Sequence, residues 1–189
     1  MALYPLIRIY QPSHFPLLPK AASESSRRGL SGCSIVLHEG LYINPTGPLG
    51  LNGLQELVWS PRFSLEIVGL AEVRILKMGT LPFLFSVCHM FFTVKNVTVY
   101  GRNETSESIL HTISSTVSLV DVRMHGSHYS ALLVQPGTYL KAVNCFFSEF
   151  IKPFEIMQSH VLFESCRWFY KDRCGEFDAM WRISSGQYA

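Results

Sequence analysis

Val117-Ser-Leu119-Val-Asp-Val122-Arg-Met124-His-Gly126 is the stretch that decides the fold, because its first, third, sixth and eighth places are apolar. Twenty-five residues earlier the same places hold Phe92, Val94, Val97 and Val99, with Gly101 matching Gly126. Twenty-three residues later they hold Leu140, Ala142, Cys145 and Phe147, and twenty-one beyond those Val161, Phe163, Cys166 and Trp168. Twenty-seven residues before Phe92, the pattern keeps Leu65, Ile67 and Leu70 and then breaks at Glu72. Alternation with period two marks strands, and no segment sustains a helical period.

Between these repeats lie shorter alternating pieces: Phe83 and Phe85, Leu132 and Val134, Phe154 and Ile156. Each coil of 21 to 27 residues therefore carries two or three short strands. Without ten-residue helical segments between them, such strands cannot form βαβ units. They suit a chain winding in one hand, each strand laid parallel on its predecessor about 4.8 Å away. The expected fold is all-β, a single-stranded right-handed parallel β-helix of about five to six coils. Val97, Val122, Cys145 and Cys166 should form one inward column, and Val99, Met124, Phe147 and Trp168 another. Cys145 above Cys166 reads as a small apolar residue in a valine column rather than as a disulfide or metal pair. An antiparallel sandwich would announce its hairpins with Asn-Gly or Asp-Gly. Neither dipeptide falls between the repeats from Leu65 to Trp168.

Outside the repeats, residues 1–31 read as an N-terminal arm or cap, rich in proline up to Pro19. Residues 32–172 form the β-helix, and 173–189 a tail with a helical turn or two around Phe177 to Trp181. Ser34-Ile-Val-Leu-His-Glu-Gly40-Leu-Tyr42 reads as strand, turn and strand, and the Pro/Gly-rich 45–62 as a protruding loop. The last coil is aromatic and the tail a weak cap for an open edge. Either another chain docks there or the sequence is a portion or variant of a longer stack, the second being preferred.

Composition narrows the function classes. The 189 residues are 48% hydrophobic and 16% charged, against roughly 25% charged in an average domain. With a net charge of +2 and no basic run, there is no electrostatic footprint for nucleic acid. Cys33, Cys88, Cys145, Cys166 and Cys174 are scattered singly, without a C-x-x-C pair. That argues against structural zinc and for a reducing compartment. Arg8 and the prolines spoil the first twenty residues as a secretory signal. The most apolar stretch, 81–99, is interrupted by His89, Lys95 and Asn96, so no membrane span is expected. The default is a soluble cytoplasmic protein, in which the sequons at Asn96 and Asn103 carry little weight.

Polysaccharide lyases and hydrolases share this architecture, and glycoside hydrolysis needs a pair of carboxylates. The best cluster is Asp121, Arg123, His125 and His128, with Asp121 at a bend and the stacked neighbours of Arg123 being Thr98, Phe146 and Arg167. It holds one acid, and reads as a solvated face. His38, His89, His111 and His160 do not fall in register as metal ligands. No catalytic residue, cofactor or metal is expected. Outward aromatic residues point to binding instead: Tyr100, Tyr129, Phe146 and Phe169, with Tyr139 nearby.

Three stretches carry a resemblance: Ser34 to Tyr42, Ser64-Leu-Glu-Ile-Val-Gly-Leu70 with Ile75-Leu-Lys-Met78, and the coil spacing from Val117 through Phe147. On these, residues 32–170 resemble the pectin-lyase-like β-helix of the SHC-binding, spindle-associated family that includes nessun dorma. The β-helix proteins of adenoviruses, the large early protein and a related capsid protein, are similar nearly as closely. The resemblance implies a non-enzymatic scaffold acting in cytokinesis or on the spindle, in the cytoplasm or cytoskeleton, through other proteins and with carbohydrate as an alternative ligand. The viral resemblance implies binding to host or capsid proteins. The loop at 45–62 and the missing helical N-terminal region depart from that family. A carbohydrate-active enzyme is the competing class, resting on architecture and the Asp121 patch.

Overall fold

The computed structural model describes residues 6–10, 31–44, 63–77, 83–101, 108–126, 130–170, 173–177 and 181–184. The Tyr129, His128 and Asn103 positions and the loop at 45–62 lie outside these residues. Seventeen strands are described. The first eight are β1 (Leu6–Tyr10), β2 (Gly32–Leu37), β3 (Gly40–Asn44), β4 (Ser64–Gly69), β5 (Val73–Lys77), β6 (Phe85–Cys88), β7 (Phe91–Gly101) and β8 (Ser108–Ile113). The rest are β9 (Thr116–His125), β10 (Ser130–Val134), β11 (Tyr139–Val143), β12 (Phe146–Ser148), β13 (Phe154–Ile156), β14 (His160–Glu164), β15 (Cys166–Tyr170), β16 (Arg173–Phe177) and β17 (Trp181–Ser184).

They wind as a right-handed parallel β-helix. A first limb stacks β1, β2, β4, the first halves of β7 and β9, then β11 and β14, all parallel. A second limb stacks β3, β5, the second halves of β7 and β9, then β12 and β15. A separate four-stranded sheet, β6, β8, β10 and β13, closes the third side. Four turns are complete on all three sides, and the β2–β3 and β4–β5 rungs show two. The expectation of five to six coils is therefore corrected to about four full turns among the described residues. The repeat pattern counted rungs of two limbs, and a third-side strand is described for four of them.

Inward residues stack as the periodicity predicts. Phe92, Val117, Leu140 and Val161 are direct partners across the first limb. In the second limb Val99, Met124, Phe147 and Trp168 align. Cys145 lies over Cys166, its backbone N–H 3.4 Å from the Cys166 Sγ, and both stand as free thiols in the core. Phe147, Phe154 and Phe163 fill the middle, with ring centroids 4.6–6.2 Å apart. Burying each such ring contributes about 1.5–3 kcal/mol, which makes these columns the main source of stability.

Corners are built from left-handed backbone. Asn96, Asp121, Asn144 and Ser165 have φ of 52–53° at the same corner of four successive turns. His89, Ser114 and Gln158 repeat the device where the third sheet meets the first limb. Asn and Asp tolerate this region better than other residues with a Cβ, because their short side chains bond locally. Asn96 Nδ2 donates to the Gly69 carbonyl at 2.8 Å, and Asn144 Nδ2 donates to Asp121 Oδ1, so each reaches the rung before it.

Three expectations are revised. Leu70 is 57% exposed rather than inward, because this corner runs three residues longer and Val73 and Ile75 take the inward places. The third side is led by Phe85 and Val87 instead of Phe83 and Phe85, and it includes β8, whose Ser108 and Thr112 hid its alternation. The tail is not helical where it is described: β16 pairs antiparallel with β15 and β17 with β14, covering both edges of the last turn. β1 likewise extends the first limb at the other end.

Candidate binding face and corner groove

The second limb presents two outward columns, set by the period-two alternation of six parallel strands. One runs Leu41, Arg74, Thr98, Arg123, Phe146, Arg167. The other runs Ile43, Leu76, Tyr100, His125, Ser148, Phe169. Leu41, Ile43 and Phe169 are 48%, 45% and 42% exposed, so large apolar groups stand in solvent at both ends of the face. In its middle the rings are ordered. Tyr100 and His125 stack with centroids 5.0 Å apart, and Phe146 tilts against His125 at 5.8 Å. His125 Nδ1 is 2.6 Å from Ser148 Oγ. Burial, reinforced by the Arg123 guanidinium, holds the His125 imidazole below its usual range.

Three of the four aromatic residues singled out in the sequence, Tyr100, Phe146 and Phe169, thus share this face. Tyr139 does not join them. It belongs to the outward edge of the first limb, in register with Thr116 and Phe91.

Alongside the face runs a groove of about 670 Å³, following the corner of left-handed residues. Asn96, Asp121, Asn144 and Ser165 line its floor, and Thr98, Arg123, Phe146 and Arg167 one wall. It spans five rungs, so its length is about 19 Å. Asp121 is the one carboxylate in its lining, and Asn144 already donates to it. Neighbouring acids are matched as well: Glu72 by Arg74, Glu164 by Lys141 at 3.0 Å. Arg123 is exposed and forms no ion pair among the described residues.

The Asp121–Arg123–His125 patch found in the sequence is therefore real as a juxtaposition; the groove lining adds no second acid to it, and the Glu149 carboxylate acts on His125 from outside that lining. His111 sits elsewhere, stacked on Phe83 at 4.4 Å. No group of three His, Cys, Asp or Glu able to hold a metal occurs among the described residues. Sequence reasoning missed Leu41, Ile43, Arg74 and Leu76, whose rungs break the repeat spacing. It also missed the groove floor, although Asn, Asp, Asn and Ser at the fifth place of four repeats was a legible signal.

Fold and face together define a parallel β-helix with a ridged, partly apolar outer side. Comparison with protein-family models, curated proteins and solved structures gave no match. No described helix is long and apolar enough to cross a membrane.

Proposed function

We propose that the chain is a non-enzymatic scaffold that binds another protein along the outer face of its second limb. The observation carrying this reading is the run of apolar and aromatic groups through two outward columns of the second limb, with Leu41, Ile43 and Phe169 exposed. Clustered apolar and aromatic groups with interspersed arginine are the composition of interface cores. Catalysis has less behind it, since glycoside hydrolysis needs two carboxylates and the groove lining offers Asp121 alone. Carbohydrate stacking could use Tyr100, Phe146 and Phe169, yet aliphatic Leu41, Ile43 and Leu76 add nothing for sugar hydroxyls. The cellular setting rests on the sequence resemblance to the spindle-associated family: cytoplasm, in cytokinesis or spindle organisation. The viral alternative shares that footing.

Affinity capture from dividing cells tests the binding reading. Defined protein partners should be recovered, and Phe146→Ser with Phe169→Ser should remove them while the melting temperature holds. Recovery indifferent to both substitutions overturns it. A fluorescently tagged chain spread evenly through mitotic cells would remove the spindle setting.

A further inference from the structure

Resting on the protein-binding reading, we infer that the outer face of the second limb takes an amphipathic α-helix of the partner, laid along the stack, with one acidic residue in its apolar stripe to meet Arg123. The shape of the face selects the helix. Its two outward columns stand two residues apart on each strand, about 7 Å, and run through six rungs, about 24 Å from end to end. A helix covers about 24 Å in about 16 residues. Its apolar stripe, about 100° on a radius of about 5 Å, is about 9 Å wide. An extended segment fits the face less well. The strands of the second limb run across it and bond to one another within the sheet, so a segment laid on top finds no backbone partner. Its N–H and C=O groups would be buried unpaired against Leu41, Ile43 and Phe169, whereas a helix satisfies its own.

Charge places the acid. Three arginines stand in one outward column. Arg74 is matched by Glu72, and Arg167 is in register with Glu176 on β16. Arg123 is exposed and has no ion pair among the described residues. It lies three rungs, about 14 Å, from the Leu41 and Ile43 end and two rungs, about 10 Å, from Phe169. With the helix N-terminus over Leu41 and Ile43 at position i, the same-face position nearest Arg123 is i+11, about 16 Å along. With the helix reversed it is i+7, about 10 Å along. In either direction the remaining stripe positions fall within about 2 Å of Leu76, Tyr100, Phe146 and the far end of the face. Apolar anchors at helical spacing around one cation are the recognition mode of a helix held by its stripe.

The test uses the full chain and fluorescein-labelled helical peptides, read by anisotropy. Both carry leucine at i, i+4, i+7, i+11, i+14 and i+15 and alanine, glutamine and lysine elsewhere, with glutamate replacing leucine at i+11 in one and at i+7 in the other. At least one should bind saturably, at least about tenfold more weakly to Arg123→Glu and to Ile43→Ser, and less as salt is added. Lysine in place of its glutamate should recover binding to Arg123→Glu, and a proline at i+8 should abolish binding. Each protein variant should match the parent in melting temperature. The inference is overturned if neither peptide binds, or if a peptide with glutamine in the stripe and its glutamate at i+9, on the opposite side, binds equally. Equal binding of the proline peptide overturns it too, as does a heparin hexasaccharide that binds through Arg123 where the peptides do not. Loss of partner capture with Phe169→Ser but not with Arg123→Glu would sink the acidic helix alone and leave the binding face standing.

Discussion

At Thr112 a hydroxyl is fully buried without a hydrogen-bond partner among the described residues, in a column with Val87 and Val134. An unpaired buried hydroxyl costs about 1–3 kcal/mol, and valine has nearly the same shape. Thr112→Val should therefore raise stability by about 1 kcal/mol, read as a shift in urea midpoint at constant slope. A lower midpoint would mean the hydroxyl is satisfied. His125 gives the residue-scale pH dependence. Its folded pKa is depressed from 6.5, chiefly by burial, so the unfolded chain takes up the proton first. Its contribution is fully present above about 6.5 and is lost as pH falls through the folded value. Melting temperatures between pH 7.5 and 5 should drop less steeply for His125→Gln than for the parent. Cys145 behaves as the sequence suggests. The Cys166 thiol and burial push its pKa up, which makes it a core filler rather than a nucleophile.

Single elements carry the next scale. A β-helix ends in strand edges that template association unless something covers them. Here β16 and β17 turn back antiparallel on β15 and β14 and cover the last turn. Removing residues 173–189 should expose that edge and the aromatic Phe163 and Trp168 region, giving concentration-dependent association by size-exclusion chromatography. A truncated chain that stays monomeric would show that the tail strands are dispensable as a cap. These strands were not legible in the sequence. Arg173 to Phe177 has no clean alternation, and antiparallel pairing on a preceding turn leaves no trace in a parallel repeat. The corner residues were legible only in part, for Asp121 was placed at its bend while Asn96, Asn144 and Ser165 went unread as its equivalents.

For the molecule as a whole, stability should be close to a sum over rungs, each touching its neighbours. Tyr139 and His160 are equivalent positions on adjacent turns. Excising residues 139–159 therefore removes one whole turn and lays β14 on β9 in register. The shortened chain should keep a cooperative melt at lower temperature and an unchanged far-ultraviolet dichroism band shape. Excising 139–149 instead puts inward residues out of register and should abolish folding. If both deletions behave alike, the stack is not modular.

Spacing alone determined that the chain is a parallel β-helix, which inward residues share a column, and that Asp121, Arg123, Phe146 and Arg167 lie on adjacent rungs. That information is local: alternation aims side chains inward or outward, and a period aligns one turn with the next. Only the tertiary structure decided that the left-handed corners enclose a groove, that the irregular rungs of Leu41 and Leu76 extend the aromatic face, and that the tail folds back as strands. Those features arise between segments whose spacing departs from the repeat, where three-dimensional packing sets the register and the sequence period does not.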